Sequence, residues 1–171
     1  FAAMRALSTN PDPATASRPY DAERDGLVLG EGSGILILES EQHARERGAR
    51  IYAELAGVGI SSDAFHMVQP EPSGSGDALA IRASLADAGV TPADIAHLNA
   101  NGTATIPGDA SEARALRTVF GDAGQGPAIT ANKSMTGHSL GAAGAIESIT
   151  TILSLRHGLV PPTRNFTRLD D

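Results

Sequence analysis

Three short stretches hold residues whose types and spacing could do chemistry. Asn99-Ala100-Asn101-Gly102-Thr103-Ala104-Thr105 leaves an apolar run at 95–100 and leads to Gly108-Asp109 at a predicted helix start. Asn132-Lys133-Ser134-Met135-Thr136-Gly137-His138 leaves a second apolar run at 127–131 and puts His138 at the predicted start of a long helix over 138–157. Strand ends are where layered α/β folds gather ligands. A histidine at a helix N-terminus feels the positive end of the helix dipole, which favours the neutral imidazole. Such a ring is suited to donating a hydrogen bond to a developing oxyanion or enolate. Glu147 lies among small and apolar residues on the same predicted helix. A carboxylate there is partly desolvated and needs a cationic or hydrogen-bonding partner. Lys133, at the neighbouring strand end, is the candidate, so Lys133, His138 and Glu147 together define a prospective site.

Two other motifs compete for attention. Gly30-Glu31-Gly32-Ser33-Gly34 is G-x-G-x-G, not the G-x-G-x-x-G of a dinucleotide fold, and no helix is predicted to open on it. It reads as a turn or bulge where backbones approach closely. Gly137-His138-Ser139-Leu140-Gly141 matches the G-x-S-x-G nucleophile elbow and would make Ser139 the nucleophile of an esterase or thioesterase. An elbow needs a strand running into its first glycine, yet Asn132 to Thr136 intervene, and His157 lies at a predicted helix end with no acid between it and any following strand.

The elements that must position these residues alternate between strand and helix. Apolar runs at 27–29, 35–38, 51–60, 95–100 and 127–131 read as strands, several continuous as in a sheet covered on both faces. Helices are predicted at the N-terminus, from Ser40 to Arg47, over 77–88 with Gly89 as terminator, from Asp109 with Glu112 three residues on, and over 138–157. Residues 8–26, rich in Pro and Asp, read as a surface loop. The pattern is layered α/β with helices packed on a mainly buried sheet.

Composition narrows the function class. The 171 residues are 41% hydrophobic but only 4% aromatic, so packing rests on Ala, Val, Leu and Ile. The 13 basic and 20 acidic residues leave a net charge of −7, which argues against a nucleic-acid platform. No apolar run has the roughly 20 residues of a membrane span, and there is no cysteine for a disulfide, thiolate metal site or thiol nucleophile. No metal site is expected, and the default location is the cytoplasm. The chain opens on Phe1 in helical composition and stops at Asp171 without a closing element, which reads as a fragment.

Taken together, these blocks resemble the elongating β-ketoacyl-acyl-carrier-protein synthases. The resemblance runs through Ala6-Leu7-Ser8-Thr9, Ser17-Arg18-Pro19-Tyr20-Asp21, Arg24-Asp25-Gly26, Gly30-Glu31-Gly32 and Ser61-Ser62-Asp63-Ala64-Phe65-His66. It continues through the Asn99-to-Asp109 stretch and Lys133-Ser134-Met135-Thr136-Gly137-His138. It implies a thiolase-like layered α-β-α fold, here incomplete. Residues 1–50 would end the N-terminal half, and 51–171 would form a truncated C-terminal half. It also implies decarboxylative Claisen condensation of an acyl thioester with malonyl on acyl carrier protein, in fatty-acid elongation by a homodimer. The substrate would ride on the carrier's phosphopantetheine, with no separate cofactor. By the same resemblance His138 is the second active-site histidine, Lys133 sets that site's electrostatics and Glu147 is its buried partner. Thr103 and Thr105 match positions contacting the pantetheine arm, and Arg5 matches the carrier-protein docking surface. The family's nucleophilic Cys would precede Phe1 and its Phe-Gly-Phe-Gly-Gly loop would follow Asp171, so the fragment alone is expected to be inactive. The family has Asn-Ala-His-Gly-Thr where this chain has Asn99-Ala100-Asn101-Gly102-Thr103; Asn101 stands at the first catalytic histidine. Its amide can donate a hydrogen bond but cannot titrate near neutrality. That substitution opens a second reading, a non-catalytic partner subunit like the chain-length-determining half of aromatic polyketide synthases.

Overall fold

The computed structural model describes residues 1–122 and 124–170. Helix α1 (Glu41–Glu46) starts where Ser40 Oγ accepts the His43 amide at 3.3 Å. Helix α2 (Ser75–Ala88) ends on Gly89 at φ 68°, a left-handed conformation that glycine adopts without a steric penalty. A one-turn 3-10 helix at Pro92–Asp94 follows, held by Thr91 and Asp94, whose carboxylate accepts the Thr91 amide at 2.8 Å. Strand β1 (His97–Asn99), helix α3 (Ile106–Phe120), strand β2 (Ala128–Thr130) and helix α4 (Lys133–Thr136) come next. A 3-10 turn at Leu140–Ala142 leads into helix α5 (Ala143–His157), closed by Gly158 at φ 64°.

The hydrogen-bonded sheet is small. β1 and β2 pair in parallel, with His97 opposite Ala128 and Asn99 opposite Thr130. This is the strand–helix–strand order that the alternating pattern predicts, with α3 as the crossover and α2 packed beside it.

Several expectations need correction. The N-terminal residues form turns, not a helix. Residues 35–38 and 51–60 form no regular element and pair with no neighbouring strand among the described residues, and a ladder requires a backbone partner. Ile35 is 83% exposed and Ile60 87%. Side chains of α2 hold the 51–60 run instead: Asp87 accepts the Val58 amide at 2.9 Å and Ser84 Oγ donates to Gly57 O at 3.3 Å. At its start, Arg156 of α5 lies 4.6 Å from the centre of the Tyr52 ring. The predicted helix over 138–157 begins only at Ala143, because Gly137 at φ 69° and Leu140 at φ 52° interrupt the right-handed path.

The loop at 8–26 also departs from its reading. Ala16, Ser17, Pro19, Asp21 and Arg24 are buried. Asp21 collects the amides of Glu23, Thr167 and Arg168 and the Thr167 hydroxyl at 2.7–3.0 Å. Burial opposes its charge, but these donors outweigh burial and hold its carboxyl well below the usual range. Around it the apolar core is mostly small: Ala100, Ala104, Ala115 and Ala131 with Leu27, Leu116 and Phe120. Among the fully buried residues, the largest side chains include the polar Asn132, Asp21 and Asp109.

Gly59 of the 51–60 run packs closely against α2. A Cβ there would lie 1.9 Å from Ala80 O. Gly59→Ala therefore has to push the run off α2, at a cost of about 1–3 kcal/mol. A lowered urea midpoint with unchanged helicity by circular dichroism is the expected result.

Candidate active site

The parallel register of β1 and β2 brings two loops to one edge. His97 Nε2 and Thr130 Oγ1 meet at 2.8 Å across the strands, and the Ala100 amide donates to Thr130 O at 2.8 Å. Beyond this pair the chain turns at Gly102, φ 40°. A Cβ at Gly102 would lie 2.4 Å from Ala131 Cβ, so glycine alone lets the loops close on each other.

Lys133 sits at the centre, 2% exposed. Its Nζ donates to Glu147 Oε1 and to Asn101 O, each at 2.6 Å. The second Glu147 oxygen accepts from Asn99 Nδ2 at 3.2 Å. The structure thus joins Lys133 and Glu147 as the sequence suggests, and adds Asn99 and the Asn101 carbonyl as further partners.

His138 is half-buried between α4 and the following 3-10 turn. Its amide donates to Val28 O at 2.7 Å and its carbonyl accepts from Gly30 at 3.0 Å, a single parallel bridge centred on Leu29. The Gly30-to-Gly34 stretch therefore serves as a backbone dock, not a phosphate loop. His138 is not at a helix start, so the dipole explanation fails. Its pKa is nevertheless lowered, first by burial and then by the Lys133 charge, with Glu147 opposing. The Leu140 amide donates to Nδ1 at 3.2 Å. A neutral ring accepting there carries its proton on Nε2, which makes Nε2–H the available donor.

Asn101, Thr103 and Thr105 line a cleft of about 500 Å³ together with Glu112, Asp63 and His66. The two threonine hydroxyls lie 2.9 Å apart. Asn101 is exposed, while its backbone is held on both sides: the amide donates to Glu112 Oε1 at 2.7 Å and the carbonyl receives Lys133. Arg5 is exposed, at φ 55°, and forms no ion pair among the described residues. Ser139 forms no hydrogen bond to a histidine among the described residues, and α4 rather than a strand precedes Gly137. The hydrolase elbow is absent.

A second polar group supports the first, and sequence reasoning underrated it. Asp109 and Glu112 do not cap α3; they face inward. Asp109 accepts the Tyr20 amide at 2.8 Å and the Ala104 amide at 3.1 Å, with Arg24 Nε 3.7 Å away. Burial raises its pKa to about 6, against the pull of those amides and of Arg24. Glu112 takes the amides of Asn101 and Gly102 and the Tyr20 hydroxyl. Ser17 Oγ donates to Lys133 O at 2.8 Å. The i, i+3 spacing of Asp109 and Glu112 was the available signal, but a capping box has the same spacing.

Known proteins are similar to this chain in sequence and in fold. Residues 52–167 match the family model "Beta-ketoacyl synthase, C-terminal domain" and residues 1–44 match "Beta-ketoacyl synthase, N-terminal domain". The chain is 52% identical over 167 residues to 3-oxoacyl-[acyl-carrier-protein] synthase 2 of Vibrio cholerae, covering 96% of this chain and 40% of the relative. It is 49% identical to the enzyme of the same name from Staphylococcus aureus, covering 95% of this chain and 39% of the relative. The chain thus spans about two fifths of these relatives' length. A solved type II polyketide synthase acyl-carrier protein in complex with its ketosynthase bound to the hexaketide superposes with TM-score 0.94 at 42% identity, over 99% of this chain and 42% of that one. The ishigamide ketosynthase/chain length factor superposes with TM-score 0.89 at 45% identity, over 99% of this chain and 40% of that one. The fold is that of these layered ketosynthases.

Two outcomes follow for stability. Lys133→Met leaves the Glu147 charge buried without its cation and is expected to cost about 3–5 kcal/mol. Adding Glu147→Leu should recover much of that loss, read as the urea midpoints of the single and double variants. Acid titration gives the second. Asp109 is raised, so the folded state binds the proton more tightly, and its contribution falls as pH rises from its ordinary 3.8 to about 6. Asp21 is lowered, so its contribution is full above 3.8 and is lost below it. Together they place the stability maximum of these two groups near pH ~4. Melting midpoints across that range should show it, with the rise from pH ~6 to ~4 missing in Asp109→Asn.

Proposed function

The chain belongs to the β-ketoacyl synthase family, and from that premise we propose that the longer protein carrying it is a 3-oxoacyl-acyl-carrier-protein synthase of fatty-acid elongation. Residues 1–50 end its N-terminal half and 51–171 belong to its C-terminal half. The reaction joins an acyl thioester to the carbanion that malonyl-acyl carrier protein yields on losing CO₂. These residues hold no cysteine, so the acyl-bearing nucleophile comes from elsewhere in the full protein.

The observation that carries this reading is the buried Lys133–Glu147 pair beside His138, whose Nδ1 is already occupied. Decarboxylation pushes negative charge onto the malonyl thioester oxygen. A neutral imidazole presenting Nε2–H stabilises that charge, and preorganised donors of this kind contribute much of enzymatic rate enhancement. Lys133 keeps the ring neutral by disfavouring a second positive charge nearby. Glu147 and Asn99 hold Lys133 in place, so the ammonium acts through the field and not by moving a proton. The hydroxyls of Thr103 and Thr105, in the cleft with Asn101, suit the amides of a pantetheine arm. A solved relative binds an acyl-carrier protein, and by analogy the carrier is the partner here, with Arg5 as one docking cation and the full protein acting as a cytoplasmic homodimer.

Asn101 favours a second reading, a partner subunit that does not itself condense. It supplies an amide donor but no titratable group where the family has histidine. One solved relative is a ketosynthase/chain length factor.

Decarboxylation and condensation of malonyl-acyl carrier protein by the full-length protein separate these readings. A condensing enzyme loses both activities in His138→Ala, by about 10²–10³-fold in decarboxylation. Asn101→His is expected to raise condensation by about 10²-fold or more. No turnover by either the parent or Asn101→His would overturn the condensing reading and favour the partner subunit.

A further inference from the structure

Residues 17–24 read as a surface loop, yet they touch the site from beneath. Tyr20 makes three of these contacts. Its amide donates to Asp109 Oδ2 at 2.8 Å, which holds the residue at φ 62°, a conformation seldom adopted by residues with a side chain. Its ring lies under Gly102: a Cβ on that glycine would fall 3.3 Å from Tyr20 Cε2. Its hydroxyl donates to Glu112 Oε2 at 2.7 Å.

Glu112 passes the constraint on. One oxygen accepts the Asn101 amide at 2.7 Å, and the oxygen that takes the Tyr20 hydroxyl also accepts the Gly102 amide at 2.8 Å. The Asn101 peptide is then fixed at both ends, because its carbonyl receives Lys133 Nζ at 2.6 Å. Without the phenol, Oε2 loses a side-chain donor, and the carboxylate is free to rotate away from two amides that have no other acceptor among the described residues. The phenol remains protonated, since burial and the neighbouring Glu112 both raise its pKa far above neutrality.

We infer that Tyr20 is a positioning residue for the site: its hydroxyl locks Glu112, and through Glu112 the Asn101–Gly102 backbone that carries Asn101 into the cleft and offers its carbonyl to Lys133. Its effect on turnover rests on the condensing reading; its effect on the backbone does not.

The test uses Tyr20→Phe and Glu112→Gln, singly and together, in the full-length protein. Amide hydrogen exchange is the first readout. Tyr20→Phe should speed exchange at Asn101 and Gly102 on the order of tenfold and leave amides in α2 unchanged. Unchanged exchange at these two amides, or a uniform increase across the protein, overturns the inference. The second readout is malonyl-acyl carrier protein decarboxylation. In an active parent, Tyr20→Phe should lower kcat about tenfold with KM within about twofold. The double variant should be no slower than Glu112→Gln alone. Additive losses, or an unchanged kcat, overturn the positioning role. If neither the parent nor Asn101→His turns over, the condensing reading fails while the exchange data still decide the brace. If Tyr20→Phe does not fold, Glu112→Gln must speed the same two amides, and normal exchange there overturns the inference.

Discussion

A lysine ammonium buried to 2% exposure cannot be left to itself. Taking one such ion out of water costs several kcal/mol even after the protein relaxes, and only close partners with good geometry offset that. Lys133 finds them in three places: a carboxylate from α5, a carbonyl from the turn after β1, and, through that carboxylate, the amide of Asn99. Each partner comes from a different part of the chain. The helix, the strand end and the turn must therefore be in register at once, and most of the local architecture follows from meeting that condition. Gly102 permits the two strand ends to close, and Ser17 reaches the Lys133 carbonyl from the opposite side.

The same condition explains an unusual core. With 4% aromatic residues the interior has few large apolar side chains, and alanines at 100, 104, 115 and 131 let backbones approach closely. The space left is filled by polar groups that bond to main chain: Asp21 to the 167–168 segment, Asp109 to Tyr20 and Ala104, Arg24 to the carbonyls of Asp21 and Ile106. Buried polar groups of this kind stabilise only when satisfied, and they then specify one arrangement far more sharply than alkyl contacts do. A site that must hold an imidazole and an ammonium at fixed separation benefits from that rigidity.

His138 shows how electrostatics can be achieved by a route other than the expected one. The helix it was expected to head starts at Ala143, so the dipole is not aimed at the ring. Burial and the Lys133 charge supply the same preference for the neutral form, and the Leu140 amide selects the tautomer. The left-handed φ of 52° at Leu140 interrupts the helix, and the amide of that same residue is the Nδ1 donor.

By itself the sequence determined the parts whose signals are local. Gly89 ends α2, Ser40 caps α1, the alternation of apolar run and helix yields the β1–α3–β2 crossover, and the blocks around Asn101 and Lys133 are recognisable as a β-ketoacyl synthase. Pairing Lys133 with Glu147 was also legible, because a lone acid among small apolar residues needs a cation. Only the tertiary structure decided the rest. Whether residues 35–38 and 51–60 enter a ladder depends on a partner strand, which apolar composition does not report. Whether 17–24 is surface or brace depends on Asp109 and Glu112 lying about 90 residues away, and their i, i+3 spacing is shared by a helix cap. Contacts of that sequence separation leave no periodicity behind, so the support beneath the site became visible only once the chain was folded.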